Sequence, residues 1–408
     1  MTIINRPGGP VAVPLTVCLF LLAAEVRAQT QPQPPEAIES MPIHAGPVGL
    51  RPSVSITNLG TDSNVFNSAD HPQDDFTATI VPRIVARVRA GRLLFSYGAN
   101  TDFVYFKDFK DEESVNFGSE GRLDANLGHL QPYVSTGWVS TKDRLNAELD
   151  ARVPRTQRTI MGGTRIAVAS RTSLVINARR FDLDFDDGTQ FDGADLAHNL
   201  NSRADSVEAG VQLALTPLTT LNMTASLQRD RFDSGPERDA DTFRLTPSLQ
   251  FDPTSLIRGT VMVGYRHFET IDPALPDYSG VIAQVLAGYT LLERTKSDLD
   301  LMRDVQYSYE DLEPYYLSTG GRLTVTHQLV GPFEVQVFGG RQSLGYRTSG
   351  VSEESRTDRV ETFGGGAAYR FHSQFRVGFT WERNQRRSDL PDRRYERDRL
   401  FASLTYGT

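Results

Sequence analysis

From about Leu50 to its end the chain alternates apolar and polar residues over stretches longer than an ordinary strand needs. In FRVGFTWERN, Phe375, Val377, Phe379 and Trp381 fall on one side of an extended backbone, and Arg376, Gly378, Thr380, Glu382 and Asn384 fall on the other. Successive strand side chains point to opposite faces, so this pattern predicts a strand with one apolar and one polar face. FTATIVPRIVARVRA sets Phe76, Ala78, Ile80, Pro82, Ile84, Ala86 and Val88 against Thr77, Thr79, Val81, Arg83, Val85, Arg87 and Arg89. TFRLTPSLQF, VIAQVLAGY and RLFASLTYGT repeat the scheme, and helical periodicity is not evident over any useful window.

Two kinds of connection alternate between these strands. Short ones fall near Gly91, Gly128, Arg171, Pro217, Pro253, Arg294, Gly331 and Ser373. Long polar ones cover about 61–75, 107–114, 142–155, 186–202, 232–241, 269–277, 310–314, 347–359 and 385–394. That arithmetic predicts about 18 strands with both ends of the sheet on the short-turn side, the plan of a transmembrane antiparallel β-barrel. Strands of roughly a dozen residues also exceed the usual globular five or six and meet the ~9–11 that a tilted membrane strand needs. A soluble β-sandwich, solenoid or propeller is the competing class. Aromatics near strand ends, Tyr105, Phe106, Tyr307, Tyr309, Tyr315, Tyr316, Tyr369, Phe371 and Phe375, suggest girdles at the membrane–water boundaries. Trp381 is then expected to face lipid. Pro82 and Pro247 sit awkwardly in this scheme, because each removes a ladder hydrogen bond.

Composition does not contradict a membrane location. With 39% hydrophobic and 23% charged residues and a mean hydropathy of −0.36, the chain resembles soluble material, but barrel strands hardly raise mean hydropathy. Residues 1–28 read as a secretory signal peptide: Arg6, the apolar stretch VAVPLTVCLFLLAA, then Val26-Arg27-Ala28 before Gln29. Residues 29–49 are Pro/Gln-rich and read as a flexible periplasmic lead, leaving 50–408 as the barrel. The single cysteine, Cys18, lies in the signal segment, so no disulfide framework is expected. A net charge of −8 excludes a strongly basic, nucleic-acid-binding surface.

RPSVSITNLGTDSNVF, followed by DDFTATIVPRIVARVRAGRLLFSYGANTDFVYF, resembles the opening of the "putative outer-membrane β-barrel porin" family. Its members carry a D-S-N-V-F-like loop entry, a strand with P-x-[IL], and a strand with two spaced tyrosines, here Tyr97 and Tyr105. The resemblance covers residues 50–408. It implies the cell outer membrane of a Gram-negative bacterium, insertion by the outer-membrane assembly machinery, and an association with exopolysaccharide or capsule systems, with periplasmic export components as partners. One departure is the C-terminus, LFASLTYGT, where Thr408 stands in place of the usual terminal aromatic.

If the apolar column faces lipid, the polar column lines the lumen. The alternation places Arg83, Arg87, Arg89, Arg122, Arg165, Arg244, Arg258, Arg266, Arg322, Arg370 and Arg376 inside, with Asp102, Glu120, Asp124, Glu208, Asp298, Asp300, Asp304, Glu334 and Glu382. A slight excess of arginine would favour anions, solutes or acidic polysaccharide. The competing reading is that these charges brace one another across strands. Arg303 falls on the apolar face, and the phase breaks between Ala178 and Phe181, as a bulge would make it do. Trp138 is a candidate sugar-stacking ring if its strand turns it inward, and otherwise a girdle residue. The Asp182, Asp184, Asp186 and Asp187 cluster offers calcium ligands, or simply acids facing water at a strand end.

Nothing points to catalysis. His71 and His198 are the histidines of the external loops, no serine stands in a nucleophile elbow, and no zinc spacing or phosphate loop occurs. No cofactor is expected. About 20 residues before the first strand cannot form a transporter plug domain. The expectation is therefore a single outer-membrane β-barrel pore, passing exopolysaccharide, capsule polymer or other hydrophilic, anionic solutes. The alternative is a closed barrel acting as surface adhesin or scaffold, with loop 186–202 long enough to fold inward.

Overall fold

In the computed structural model, which describes residues 38, 41–348, 356–371 and 374–407, the alternating stretches form eighteen long strands. The first nine are β1 (Val48–Asp62), β2 (Asp75–Ala90), β3 (Leu93–Phe106), β4 (Ser114–Ala125), β5 (Leu130–Thr141), β6 (Arg155–Ala169), β7 (Thr172–Phe185), β8 (Ser202–Thr216) and β9 (Thr219–Phe232). The rest are β10 (Ala240–Phe251), β11 (Ile257–Thr270), β12 (Tyr278–Leu291), β13 (Thr295–Tyr307), β14 (Tyr315–Gln328), β15 (Phe333–Arg347), β16 (Thr357–Phe371), β17 (Phe375–Arg387) and β18 (Tyr395–Tyr406). Each pairs antiparallel with the next, and β1 pairs with β18 from Val54↔Tyr406 to Asp62↔Arg399, which closes the sheet. Closure removes the free edges that an open sheet would expose where water is excluded. The predicted signal segment and Thr408 lie outside the described residues. Of the predicted lead, Ile43–Ala45 folds back on Val48–Leu50 as a short hairpin, so the barrel's order begins slightly ahead of residue 50.

Two local devices bend the wall. β1 slips register between Ile56 and Leu59 against β18 and between Thr57 and Gly60 against β2, with Asn58 in the left-handed region at φ 52°. Gly60 sits there because a Cβ would lie 2.0 Å from the Leu400 carbonyl oxygen. The prolines interrupt one ladder each: β2–β3 pairing skips from Ile80↔Phe103 to Arg83↔Asn100 at Pro82, and β10–β11 pairing skips from Leu245↔Tyr265 to Ser248↔Met262 at Pro247. Each missing N–H therefore removes a rung without breaking the strand.

The two faces see different surroundings. On β17, Phe379 is 53% and Trp381 41% exposed on the outer face, while Glu382 on the inner face is 2% exposed. Exposed apolar side chains recur around the circumference, among them Ile80, Phe103, Val134, Ile160, Val211, Met223, Val263, Val281, Leu323 and Val337. A continuous apolar exterior of this extent needs a hydrocarbon phase.

The apparent break on β7 is not a bulge. Pairing with β6 runs without a shift from Ala178↔Gly162 to Phe185↔Arg155. What changes is the solvent: above Ala178 the outward side chains are Arg180, Asp182 and Asp184, and the inward ones are Phe181, Leu183 and Phe185. Arg180 pairs with Asp205 at 2.7 Å and Arg203 with Asp182 at 2.7 Å on this upper exterior. The strands outlast the apolar band, so their outer face turns charged while their inner face packs against something else.

Candidate functional site

Inside the long-loop end, that something is a set of in-folded segments. The β12–β13 ladder stops at Ala283↔Arg303, whereas β13–β14 pairing continues to Tyr307↔Tyr315. The β13–β14 tip therefore leaves the wall and turns into the mouth. Arg303 marks the departure point on the outer rim, donating to the Val281 carbonyl at 3.2 Å and to Thr319 Oγ1 at 2.8 Å. The tip meets residues 142–154 and 186–201, the latter carrying a short helix, α1 (Leu196–Leu200). Leu149, Val153, Phe185, Leu196, Leu200 and Tyr309 form one buried cluster, and Ala240, Phe268, Tyr278, Ile282, Val305, Tyr315 and Leu317 form another. Tyr309, Tyr315 and Tyr316 are thus plug residues and not girdle aromatics, and Phe106 is buried too. The girdle reading fits better at the short-turn end, where Phe333, Tyr369, Phe371, Phe375 and Tyr406 make an edge-to-face chain across β15–β18.

Arginines staple the plug to the wall. Arg238 donates to the Ser308 and Glu310 carbonyls at 2.6 and 2.9 Å, and Asn199 Nδ2 donates to the Tyr309 carbonyl at 2.8 Å. Arg386 reaches the Ala147 carbonyl at 2.9 Å and the Asp150 carboxylate at 3.2 Å, while also pairing with Asp358 at 2.5 Å. Arg356 bridges Glu310, Glu313 and Asp358. Arg393 approaches Asp150 at 3.5 Å and lies over the Phe191 ring. Buried charges paired and hydrogen-bonded in this way are costly to strand, so loss of one partner destabilises the whole clasp.

Two loop carboxyls are held protonated-leaning by this setting. Glu148, fully buried and accepting from Ser308 Oγ at 2.5 Å, is pushed up to about 8 by burial, and Glu310 adds to the rise. Glu313 rises to about 7 by burial and by its neighbour Glu310, against the pull of Arg356. Neither carboxyl was singled out from sequence. One signal was present: in the polar connection 142–155, Leu145, Leu149 and Val153 recur every four residues, which a solvated loop does not need.

The predicted lumen residues occupy the inner face, and their partners divide them. Arg122 forks onto Asp124 at 2.6–2.9 Å and lies 3.8 Å over the Tyr133 ring. Arg258 pairs with Asp298 at 2.8 Å, Arg266 with Asp304 at 2.8 Å, and Arg244 approaches Asp304 at 3.7 Å. Arg370 and Arg376 share Glu334, Arg399 pairs with Glu382, and Arg322 lies over the Phe338 ring. For these, bracing describes the geometry. Arg87, between Arg83 and Arg89 on β2, is half-buried, and Glu120 lies across β3 from that strand. Arg83 and Arg89 are exposed to the lumen with no ion pair among the described residues, and Arg165 donates only to Ser173 Oγ at 3.1 Å. These three stand from mid-strand to the short-turn end.

Two further candidates resolve by orientation. Trp138 pairs with Ser119 and Arg158 in the outward register, with the Arg158 guanidinium 5.3 Å over its ring, so it is not in the lumen. Asp182 and Asp184 point outward and Asp182 is tied to Arg203. No group of three or more acids, histidines or cysteines among the described residues is arranged to hold a metal ion.

A family model described as Putative beta-barrel porin 2 matches residues 36–407. No curated protein matches the chain in sequence. Among solved structures, a BenF-like porin from Pseudomonas fluorescens aligns with a TM-score of 0.50 at 12% identity, covering 88% of this chain and 99% of its own. OccK2 from Pseudomonas aeruginosa, solved in complex with glucuronate, gives 0.50 and 12%, covering 88% and 98%. At such identity these likenesses speak for the fold alone.

Proposed function

As the chain belongs to the Putative beta-barrel porin 2 family, and so resides in the cell outer membrane as a porin-type β-barrel, we propose that it is a pore for small hydrophilic solutes with a preference for anions. The observation that carries the preference is the set of unneutralised arginines, Arg83, Arg89 and Arg165, in the lower lumen, whereas Arg122, Arg258 and Arg266 are offset by Asp124, Asp298 and Asp304. An eighteen-stranded barrel is wide enough to hold water there, and cations with no carboxylate partner impose a positive potential on what passes. Passage of an acidic solute, as glucuronate binding to OccK2 suggests for a distant neighbour, is in keeping with this. Export of a capsule or exopolysaccharide polymer has no structural observation behind it, and three in-folded segments at the mouth stand against threading a chain. Enzymatic activity has none either.

The same plug favours a second reading, a closed barrel acting as a surface adhesin or scaffold. Single-channel recording of the refolded protein across a salt gradient separates the two. A stable conductance reversing toward the anion potential supports the pore. Arg83→Gln with Arg89→Gln should then move the reversal potential toward zero, whereas Arg258→Gln combined with Asp298→Asn, which removes a neutral pair, should move it little. A folded barrel that never conducts would favour the closed form.

A further inference from the structure

Below the plug the departure of β13 from the wall opens a recess between β6–β10 and residues 304–306. It is open to the lumen and shallow, so it can take in one ring of a solute and not a whole chain. Its charged lining sums to nothing: Arg179 and Arg244 are matched by Glu208 and Asp304. Around them stand three primary amides, Asn177, Gln228 and Gln306. Most are already engaged: Asn177 accepts from Tyr133 Oη at 2.7 Å and donates to Glu208, and Gln228 accepts from Arg244 at 3.1 Å. Gln306 is 5% exposed and accepts from Tyr316 Oη at 2.7 Å, yet its Nε2 has no hydrogen-bond partner. A buried donor left unsatisfied at the edge of a polar recess is a cost that a bound acceptor removes. One wall is the ring of Phe181, braced by the Arg179 guanidinium 5.1 Å away.

We propose that this recess is a binding subsite for one ring of a neutral polyhydroxylated solute such as a sugar. Each sugar hydroxyl is both donor and acceptor, which suits planar amide, carboxylate and guanidinium groups whose own charges cancel. The apolar face of a pyranose suits the Phe181 ring, and a ring hydroxyl supplies the acceptor that Gln306 Nε2 lacks. An anion gains little here, because Glu208 and Asp304 cancel the charge of Arg179 and Arg244. The charge preference belongs to the arginines lower in the lumen, and the recess adds a stopping point on the same path; in this the proposal rests on the pore reading.

Saturation-transfer NMR on the refolded protein, in a detergent without a sugar head group, tests it with maltose, glucuronate and inorganic phosphate as probes. Maltose is expected to show transfer. Gln306→Ala should weaken it about fivefold to tenfold, the loss of one hydrogen bond, and Ser226→Phe, which fills the recess, should abolish it. Heat-modifiable migration on a gel verifies that each variant is folded. Glucuronate or phosphate binding in place of maltose overturns the proposal, as does maltose transfer that survives Ser226→Phe. The measurement needs no current, so a barrel that binds maltose but stays silent in a bilayer defeats the pore reading alone. One that conducts but ignores maltose defeats the subsite alone.

Discussion

A carboxyl buried against a serine hydroxyl, as Glu148 is against Ser308, makes the closure of the mouth sensitive to protons. Burial raises this carboxyl to about 8, with Glu310 adding to the rise and Ser308, Arg393 and Arg386 opposing it. When the segment is released into water the group returns to an ordinary carboxylate, near 4.5. Between those values the released form has lost its proton and the seated form has kept it. The seated plug is therefore favoured below about pH 4.5 and loses stability as pH climbs toward 8, by up to about 1.4 kcal/mol per pH unit for one proton. Glu313, raised to about 7, pushes the same way. Open-channel probability recorded from pH 5 to pH 8 should rise, and Glu148→Gln, which keeps a hydrogen bond to Ser308, should flatten most of that rise. An unchanged slope in Glu148→Gln would place the sensitivity elsewhere. At this scale the sequence was partly legible. Alternation alone put Arg122, Arg258 and Arg266 on the inner face and put Asp124 beside Arg122 two residues on, but that Arg258 and Arg266 reach Asp298 and Asp304 on β13 is not visible in any spacing.

Among elements, the β13–β14 tip departs furthest from the regular plan. Its connection, 310–314, is the briefest of the long class and reads as an ordinary external loop, and its tyrosines read as a girdle. Instead the tip leaves β12 at Ala283↔Arg303 and turns inward, because Tyr309, Tyr315 and Tyr316 bury their rings more completely against Leu149, Phe268 and Tyr346 than at an interface. Such a choice depends on tertiary packing and leaves no mark on a period-2 pattern. β7 misleads for the related reason that its faces exchange environments above Ala178 while its register holds. What holds the tip is Arg238, 3% exposed and bonded to two of its carbonyls. Arg238→Ala leaves those carbonyls buried without a donor, about 1–3 kcal/mol each. Flickering to larger conductance levels should become far more frequent, by about tenfold or more for each 1.4 kcal/mol lost. Arg229→Ala, on the outer face of β9, serves as the control and should leave the record unchanged.

For the whole molecule, strand count, connection lengths and topology were all legible, since a closed antiparallel barrel obeys period-2 alternation and a strict order of short and long turns. Of the in-folded mouth the length of loop 186–202 gave only a hint, and the depth at which the chain sits in the bilayer was not legible. The outer face supplies that depth. On β17 apolar side chains run outward from Phe375 to Trp381, and Arg383 follows, paired with Glu396 at 2.5 Å. On β6 Ile160 is followed outward by Arg158, which lies over Trp138. Both tryptophans, the only two in the chain, therefore stand at the upper edge of the apolar band. Bromine high on the lipid acyl chain should quench their fluorescence more than bromine at the chain end, and aqueous acrylamide should quench weakly. Moving the ring one outward position down, with Trp381→Phe and Phe379→Trp in a Trp138→Phe background, shifts it about 5 Å toward the bilayer centre for a tilted strand. The strongest quenching should then pass to a deeper bromine. Strong acrylamide quenching with no response to bromine would instead put the outer face in water, and the barrel would not be seated as its apolar band requires.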